Sequence, residues 1–193
     1  MSTMIVLDLY LARHGQSVGN LPGMDERGLA PDDWPLTELG QQQAALLGEH
    51  LSSISFDAIW CSPLERAQTT ANAVAVRQLK PISVKIERDL LEIHACGSSD
   101  PEQWHARALR VARALHGDHP PGARVLVVSH GGFNSRLLHS LLGLPGLALK
   151  CGFLQNNTGL SRVVVHNDDE PDWARVRLHF MNSTAHLLPE LIT

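Results

Sequence analysis

Three short apolar runs, each stopping at a polar or glycine-bearing elbow, constrain what this chain can fold into more than any other feature. Ile5 to Leu11 leads into Arg13-His14-Gly15, Phe56 to Cys61 into Ser62-Pro63-Leu64-Glu65, and Val125 to Ser129 into His130-Gly131-Gly132. Runs this short cannot be helices; bounded by turn residues, they read as strands buried on both faces, the first of them central. Thr37 can cap a helix reaching about Leu51, because Leu39, Leu46, Leu47 and Leu51 recur at helical spacing. Ser62 to Glu65 has the form of a capping box with proline at the first helical position, which predicts a helix from Pro63 with Arg66 in its first turn. Asp100-Pro101-Glu102-Gln103 is a second start of that kind, with Trp104, Leu109, Val111 and Leu115 as the buried face. Phe133 to Leu142 follows the third strand as a helix and closes at Gly143 and Pro145.

Ile82, Val84 and Ile86 alternate with Ser83 and Lys85 at strand period, and Leu160 to Val165 and Trp173 to Phe180 flank a turn-rich stretch, as a hairpin at a sheet edge does. Strands alternating with helices predict an α/β chain: a three-layer α/β/α sandwich with a mostly parallel sheet, an antiparallel edge hairpin and a small lid made of loops. Val18 to Pro35, rich in glycine and proline and without a period, reads as a long loop of the kind that carries function and specificity. The 193 residues fit one domain, 1–193, and suffice to bury roughly 70% of the unfolded surface.

Composition narrows the function classes. A formal net charge of −4 gives no global field to attract nucleic acid or acidic membranes, so neither is expected as a partner and any anion must be bound locally. Cys61, Cys96 and Cys151 are odd in number, widely spaced and free of zinc-type spacing, which points to a reducing cytoplasm rather than a disulfide framework. Met4 to Ala12 is interrupted by Asp8 and lacks the form of a signal peptide, and no stretch is long and apolar enough to span a bilayer. Eleven histidines raise the question of a metal, but they sit singly and form no ligand motif, so neither metal nor other cofactor is expected. No feature singles out an oligomeric state.

The chemistry gathers at strand ends. Arg13-His14-Gly15, Ser62 to Arg66, Glu92 and His130-Gly131 all fall where strands give way to loops or helices, the edge at which open α/β sheets bind ligands. Two arginines, two histidines, a carboxylate and two helix N-termini at one edge suit a phosphate: guanidinium groups offer fixed forked donors, and the backbone N–H groups after Gly131 would point partial positive charge at the same place. A neutral imidazole can attack phosphorus with no proton to remove first, so one histidine can be the nucleophile and a protonated His130 can stabilise charge. Glu92 is placed to protonate the departing alkoxide. With that positive charge at hand, the reaction needs no Mg²⁺. Taken singly these residues have bland readings: Arg13-His14 as a strand-end ion pair, Arg66 as a solvated helix residue, His130 as a satisfied core histidine. Their arrival at one edge in order is what favours the site. Asn156, Asn157 and Thr158 read as turn residues, Cys61 as a buried inert thiol, and the leucines of the closing segment as core.

Arg13-His14-Gly15-Gln16-Ser17 with Asn20, Pro35-Leu36-Thr37 with Gly40 and Gln43-Ala44, Ser62-Pro63-Leu64 with Arg66-Ala67 and Thr69-Thr70-Ala71, and Ser129-His130-Gly131-Gly132 together resemble the phosphoglycerate mutase-like branch of the histidine phosphatase superfamily. The resemblance spans most of the chain, and Asn182 to Leu187 resembles a tail common among its phosphatase members. It implies that His14 accepts the phosphoryl group, that Arg13, Arg66 and His130 form the phosphate pocket, and that Asn20 contacts substrate. Leu90-x-Glu92 resembles the segment carrying the family's acid, but the usual continuation through a glycine to Trp-Glu-Gly is replaced by His94-Ala95-Cys96-Gly97-Ser98-Ser99, which leaves the proton donor open among Glu92, His94 and Asp89.

The expectation is therefore a metal-independent phosphatase acting on a small phosphorylated substrate, with phosphoproteins also open, through phosphohistidine on His14. The stretch from Glu92 to His130 leaves little chain for a large lid, which favours hydrolysis over a phosphoglycerate mutase-type transfer, because a mutase must shield its intermediate from water. A phospholigand-binding protein without turnover is a further class. The remaining one is a serine hydrolase using Ser129, which would leave the other motifs unexplained.

Overall fold

The computed structural model describes residues 4–23, 34–93, 100–144, 152–167 and 175–193. Among these residues six strands form one sheet: β1 (Ile5–Arg13), β2 (Ala58–Cys61), β3 (Val84–Ile86), β4 (Ala123–Ser129), β5 (Leu160–His166) and β6 (Val176–Ser183), in the spatial order β3-β2-β4-β1-β5-β6. β1 to β4 pair in parallel, β5 runs antiparallel to β1, and β6 antiparallel to β5 at the sheet edge. The mostly parallel sheet with an antiparallel edge hairpin is what the sequence pattern predicts.

Four helices accompany the described strands: α1 (Glu38–His50), α2 (Glu65–Ala75), α3 (Pro101–Gly117) and α4 (Gly131–Leu141). Side chains of a strand alternate between faces, and here that alternation divides the core in two. Leu7, Leu9 and Leu11 of β1 with Val125 and Val127 of β4 meet Val111 and Leu115 of α3 and Phe133, Leu137 and Leu138 of α4. Tyr10 and Ala12 with Leu126 and Val128 meet Leu47 and Leu51 from α1 and Ala67, Ala71 and Val74 of α2. The result is the three-layer sandwich. No helix among the described residues is long and apolar enough to cross a membrane.

Local sequence explains two of these four helix starts. The Thr37 side chain accepts from the Gly40 N–H at 3.0 Å and opens α1; Asp100 accepts from the Glu102 N–H at 2.9 Å and opens α3, with Pro101 first in the helix. The buried face of α1 is narrower than the leucine pattern suggests. It carries Gly40, Gln43, Ala44, Leu47 and Gly48, whereas Leu39 and Leu46 are only half-buried. Backbones approach closely here: a Cβ on Gly40 would overlap the Gln16 carbonyl, and one on Gly48 the Ala73 carbonyl. In α3, Trp104 and Leu109 are likewise half-buried while Arg107 and Ala108 join Val111 and Leu115 inside.

Two expectations need correction. α2 begins at Glu65 rather than Pro63, with Leu64 as its N-cap, because the Ser62 hydroxyl lies 2.7 Å from His130 Nε2 and only 3.4 Å from the Leu64 nitrogen. Of the closing leucines, Leu187 is buried but Leu188 is 60% exposed. Most of the long loop expected to carry specificity, residues 24–33, lies outside the described residues, as do 94–99 with His94 and Cys96.

Candidate active site

The sheet register assembles the site. Arg13 pairs with Ser129 and Cys61 with Val128, so the residues that follow the strands, His14, Ser62 and His130, emerge side by side at the carboxyl edge. The ladder continues one step beyond the strands: His14 N–H donates to the Ser129 carbonyl at 3.0 Å and Ser62 N–H to the Val128 carbonyl at 3.1 Å. The His14 and His130 rings stand 5.0 Å apart, edge to face at 62°. Arg66, in the first turn of α2, is buried beside them, with its guanidinium carbon 5.9 Å from the centre of the Trp34 ring. That spacing suits a cation held over an indole face.

His14 is locked in one tautomer. Its Nδ1 lies 2.7 Å from the Gly15 carbonyl oxygen, which can only accept, so the proton sits on Nδ1 and the neutral ring keeps its lone pair on Nε2. The Gly15 N–H in turn donates to Thr70 Oγ1 at 3.0 Å, and that hydroxyl donates to the Arg66 carbonyl at 2.7 Å, which ties the loop after β1 to α2. Gln43 of α1 accepts from the Gln16 N–H at 2.8 Å.

Burial first, and then the charges of Arg13 and Arg66, hold His14 well below the usual imidazole value, against the opposite pull of the Gly15 carbonyl. His130 is held well below it too, by burial and then by His14, Arg66, Arg13 and Arg107. Both rings are therefore held toward the neutral form, and the fixed positive charge of the pocket comes from its arginines. Burial pulls the Arg13 guanidinium down, and the Glu92 carboxylate pulls it back up. Arg13 donates through Nη1 to the Gln155 carbonyl at 2.7 Å, while its buried Nε and His130 Nδ1 have no hydrogen-bond partner among the described residues. Buried polar atoms are rarely left so, and a site for an anion is one reason they are.

Glu92 reaches the same edge in another manner than the sequence suggests. Its Oε1 accepts from the Ile93 N–H at 2.7 Å and the Phe133 N–H at 3.0 Å, and its Oε2 from the Gly132 N–H at 3.2 Å. The N–H groups after Gly131, expected to face a phosphate, thus hold a carboxylate of the chain itself, since a helix N-terminus favours any anion within reach. A Cβ on Gly132 would stand 2.5 Å from Glu92 Oε1, whereas one on Gly131 would meet Arg13 Cδ at an ordinary 3.6 Å. Arg13, Glu92, Gly131 and Arg136 line a cavity of about 360 Å³, with Phe153 and Leu154 as an apolar wall.

Asn20 turns toward its own loop. Its Oδ1 accepts from the Ser17 N–H at 2.9 Å, the Ser17 hydroxyl at 3.1 Å and Asn157 Nδ2 at 3.3 Å. Asp89 is held by Arg110 through two bonds of 2.9 and 3.0 Å, and His94 lies outside the described residues. Ser129 is fully buried and its hydroxyl donates to the Leu90 carbonyl at 2.7 Å, while His166 sits at the opposite end of the β1–β5 ladder; this is no nucleophile elbow. Cys61 is buried and its thiol is pushed up to about 12, an inert group. Thr70, Gln43, Gln155 and Trp34 are site-shaping residues that sequence reasoning gave no role, and Ser62, read as a helix cap, bonds His130 instead. Thr70 and Gln43 stand inside the quoted motifs, so the signal was there; Gln155 acts through a carbonyl that any residue carries.

The comparisons with known proteins bear on the family and the fold. The family model of the histidine phosphatase superfamily (branch 1) matches residues 9–99 and 95–178. The adenosylcobalamin/alpha-ribazole phosphatase of Escherichia coli is 33% identical over 169 residues, covering 73% of this chain and 82% of that protein. A probable phosphoglycerate mutase of Cronobacter sakazakii is 30% identical over 186 residues, covering 82% of this chain and 85% of that one. Among solved structures, a putative alpha-ribazole-5'-P phosphatase from Escherichia coli superposes with a TM-score of 0.69 at 26% identity, over 92% of this chain and 96% of the other. A phosphoserine phosphatase mutant from Entamoeba histolytica in complex with phosphoserine shares the fold, with a TM-score of 0.71 at 22% identity over 94% and 100% of the two chains. Strand-end motifs, sheet order and sequence relatives converge: the chain belongs to branch 1 of the histidine phosphatase superfamily.

Proposed function

We propose that this protein is a metal-independent phosphatase that hydrolyses phosphate monoesters in two steps through a phosphohistidine on His14. The observation that carries the reading is the locked tautomer: Nδ1 of His14 is committed to the Gly15 carbonyl, so Nε2 presents its lone pair in a pocket with the half-buried Arg13 and the buried Arg66. Arg13 and Arg66 bind the phosphoryl oxygens, with His130 and the backbone at Gly131 beside them and Asn20 at the loop that borders the pocket. Nε2 attacks phosphorus, the ester P–O bond breaks, and the leaving oxygen takes a proton from Glu92. The Glu92 carboxylate then takes a proton from water as that water's oxygen attacks phosphorus, the P–N bond breaks, and inorganic phosphate departs. His130 is neutral beforehand; an arriving phosphate dianion favours its protonated form, which supplies charge when charge develops.

Relatives named for alpha-ribazole phosphate and phosphoserine support a small phosphorylated substrate. A screen of small phosphate monoesters in EDTA, with phosphoglycerate mutase activity assayed in parallel, tests the reading. Release of inorganic phosphate with a pre-steady-state burst of the alcohol, and no mutase product, is expected. Activity that vanishes in EDTA, or phosphoryl transfer in place of hydrolysis, counts against it.

A further inference from the structure

Two sequence features are not absorbed by the proposed chemistry: the turn at residues 156–158 and the tail motif Asn182 to Leu187. They meet behind the nucleophile. Residues 155–159 touch the Arg13-His14 pair four times. The Gln155 carbonyl accepts from Arg13 Nη1 at 2.7 Å and the Gly159 carbonyl from the Arg13 N–H at 3.3 Å. Asn157 Nδ2 and the Thr158 N–H both donate to the His14 carbonyl, at 3.0 and 3.2 Å. Asn157 and Thr158 are buried, and Thr158 sits at φ 56°, a left-handed conformation that a β-branched residue adopts only where its surroundings insist.

The tail supplies the insistence. Asn182 Oδ1 accepts from the Asn156 N–H at 2.8 Å. His186 Nε2 donates at 2.9 Å to Thr158 Oγ1, whose own proton goes to the Asn157 carbonyl at 2.7 Å. The Thr193 carbonyl accepts from the Asn157 N–H at 2.7 Å, and the Thr193 hydroxyl donates to Asn157 Oδ1 at 3.2 Å. That hydroxyl also accepts at 3.0 Å from Gln43 Nε2, and Gln43 Oε1 receives the Gln16 N–H at 2.8 Å. The peptide groups on both sides of Gly15 are therefore held by two side chains, Asn157 and Gln43, that are joined to each other through Thr193.

We propose that residues 155–159 form a clamp that sets the position of the His14 ring, with Asn157 as its main positioning residue and Asn182, His186 and Thr193 as the lock behind it. The proposal rests on the reading of His14 as nucleophile. Neither Asn157 nor the tail touches the phosphate; they act by fixing the main chain from which the imidazole hangs. A nucleophile moved by a fraction of an ångström loses rate without losing ground-state binding.

The test compares Asn157→Ala with wild type in three readouts. Turnover of an aryl phosphate is expected to fall by about 10- to 100-fold, with KM and inhibition by inorganic phosphate changed by less than about threefold. In protein labelled with ¹⁵N-histidine, the His14 Nδ1–H signal, held by the Gly15 carbonyl, is expected to shift and to exchange faster with water. His186→Ala removes only the lock and is expected to cost a smaller factor in the same direction, with His186→Gln restoring rate because its amide can donate to Thr158. This pair decides the matter if Asn157→Ala does not fold. Turnover within about twofold of wild type with an unmoved His14 signal, or a lowered melting temperature as the sole effect of His186→Ala, would overturn the clamp. Should wild type form no phosphoenzyme, the reading of His14 fails, and the nitrogen-15 signal still decides whether the clamp places the ring.

Discussion

His14 shows how little of a catalytic residue is in its side chain alone. An imidazole becomes a ready nucleophile here because a neighbouring carbonyl takes the proton on Nδ1 and because burial beside Arg13 and Arg66 keeps the ring neutral. Glu92 carries two duties that substitution can separate, capping α4 through the Gly132 and Phe133 N–H groups and standing where a leaving group would be protonated. Glu92→Gln keeps an acceptor for the cap and removes the acid. It is expected to slow alkyl phosphates by about 10² to 10⁴ and activated aryl phosphates far less, while leaving stability near wild type. Glu92→Ala should show the same kinetic pattern and also lose about 1 kcal/mol in urea unfolding, the ordinary cost of a missing cap. Equal slowing of both ester classes by Glu92→Gln would remove Glu92 from the proton transfer. At this scale Arg13, His14, Arg66 and His130 were legible because each sits at or just after a strand end. Asn157 was not, and Ser62, though at a strand end, was read for a local partner, since their partners lie 143 and 68 residues away.

Among the elements, α1 tests whether the helix behind the site was read correctly. Its leucine spacing located the helix, but the face it buries is set by Gly40 and Gly48, where backbone meets backbone. Helix propensity alone would reward Gly40→Ala by about 1 kcal/mol. The Gln16 carbonyl occupies the space, so the variant is instead expected to be less stable by about 1 to 3 kcal/mol, read as a lower urea midpoint with an unchanged slope. A stabilised Gly40→Ala would mean that the loop after β1 is not packed as described. The misplaced start of α2 has a similar lesson. Ser-Pro-x-Glu looks like a cap in isolation, but a serine within 2.7 Å of a buried histidine nitrogen has a stronger partner than a helix N–H.

For the molecule as a whole, alternation of strand and helix made the α/β class legible, whereas the insertion of β4 between β2 and β1 is decided by packing that no local pattern records. β1 at the centre also carries Asp8, buried and bridging Arg124 of β4 and Arg162 of β5, at 2.8 Å each. Burial works against its charge, but the hydrogen bonds and charges of Arg162 and Arg124 outweigh it and hold the carboxyl below its ordinary value. Asp8→Asn breaks that three-strand tie and is expected to cost roughly 2 to 3 kcal/mol of stability, visible in urea unfolding at pH 7. Acid should act through the histidines first. His14 and His130 are held below 6.5 in the fold by burial, and His186, buried beside His50, is held at about 4. The unfolded chain therefore binds more protons below pH 6.5, so their contribution is fully present above that pH and is lost as the pH falls. His14→Asn should flatten the decline of stability below pH 6 by up to about one proton, or 1.4 kcal/mol per pH unit. An unchanged slope would mean that His14 is not held neutral.

The most direct measurement is a rapid acid-free quench of the enzyme during turnover of a ³²P-labelled monoester, followed by peptide mapping. The expected result is a stoichiometric label on His14 that survives alkali and is lost in acid, and that is absent from His14→Ala. Steady turnover with no label on that residue, or label on another side chain, would contradict the proposed mechanism.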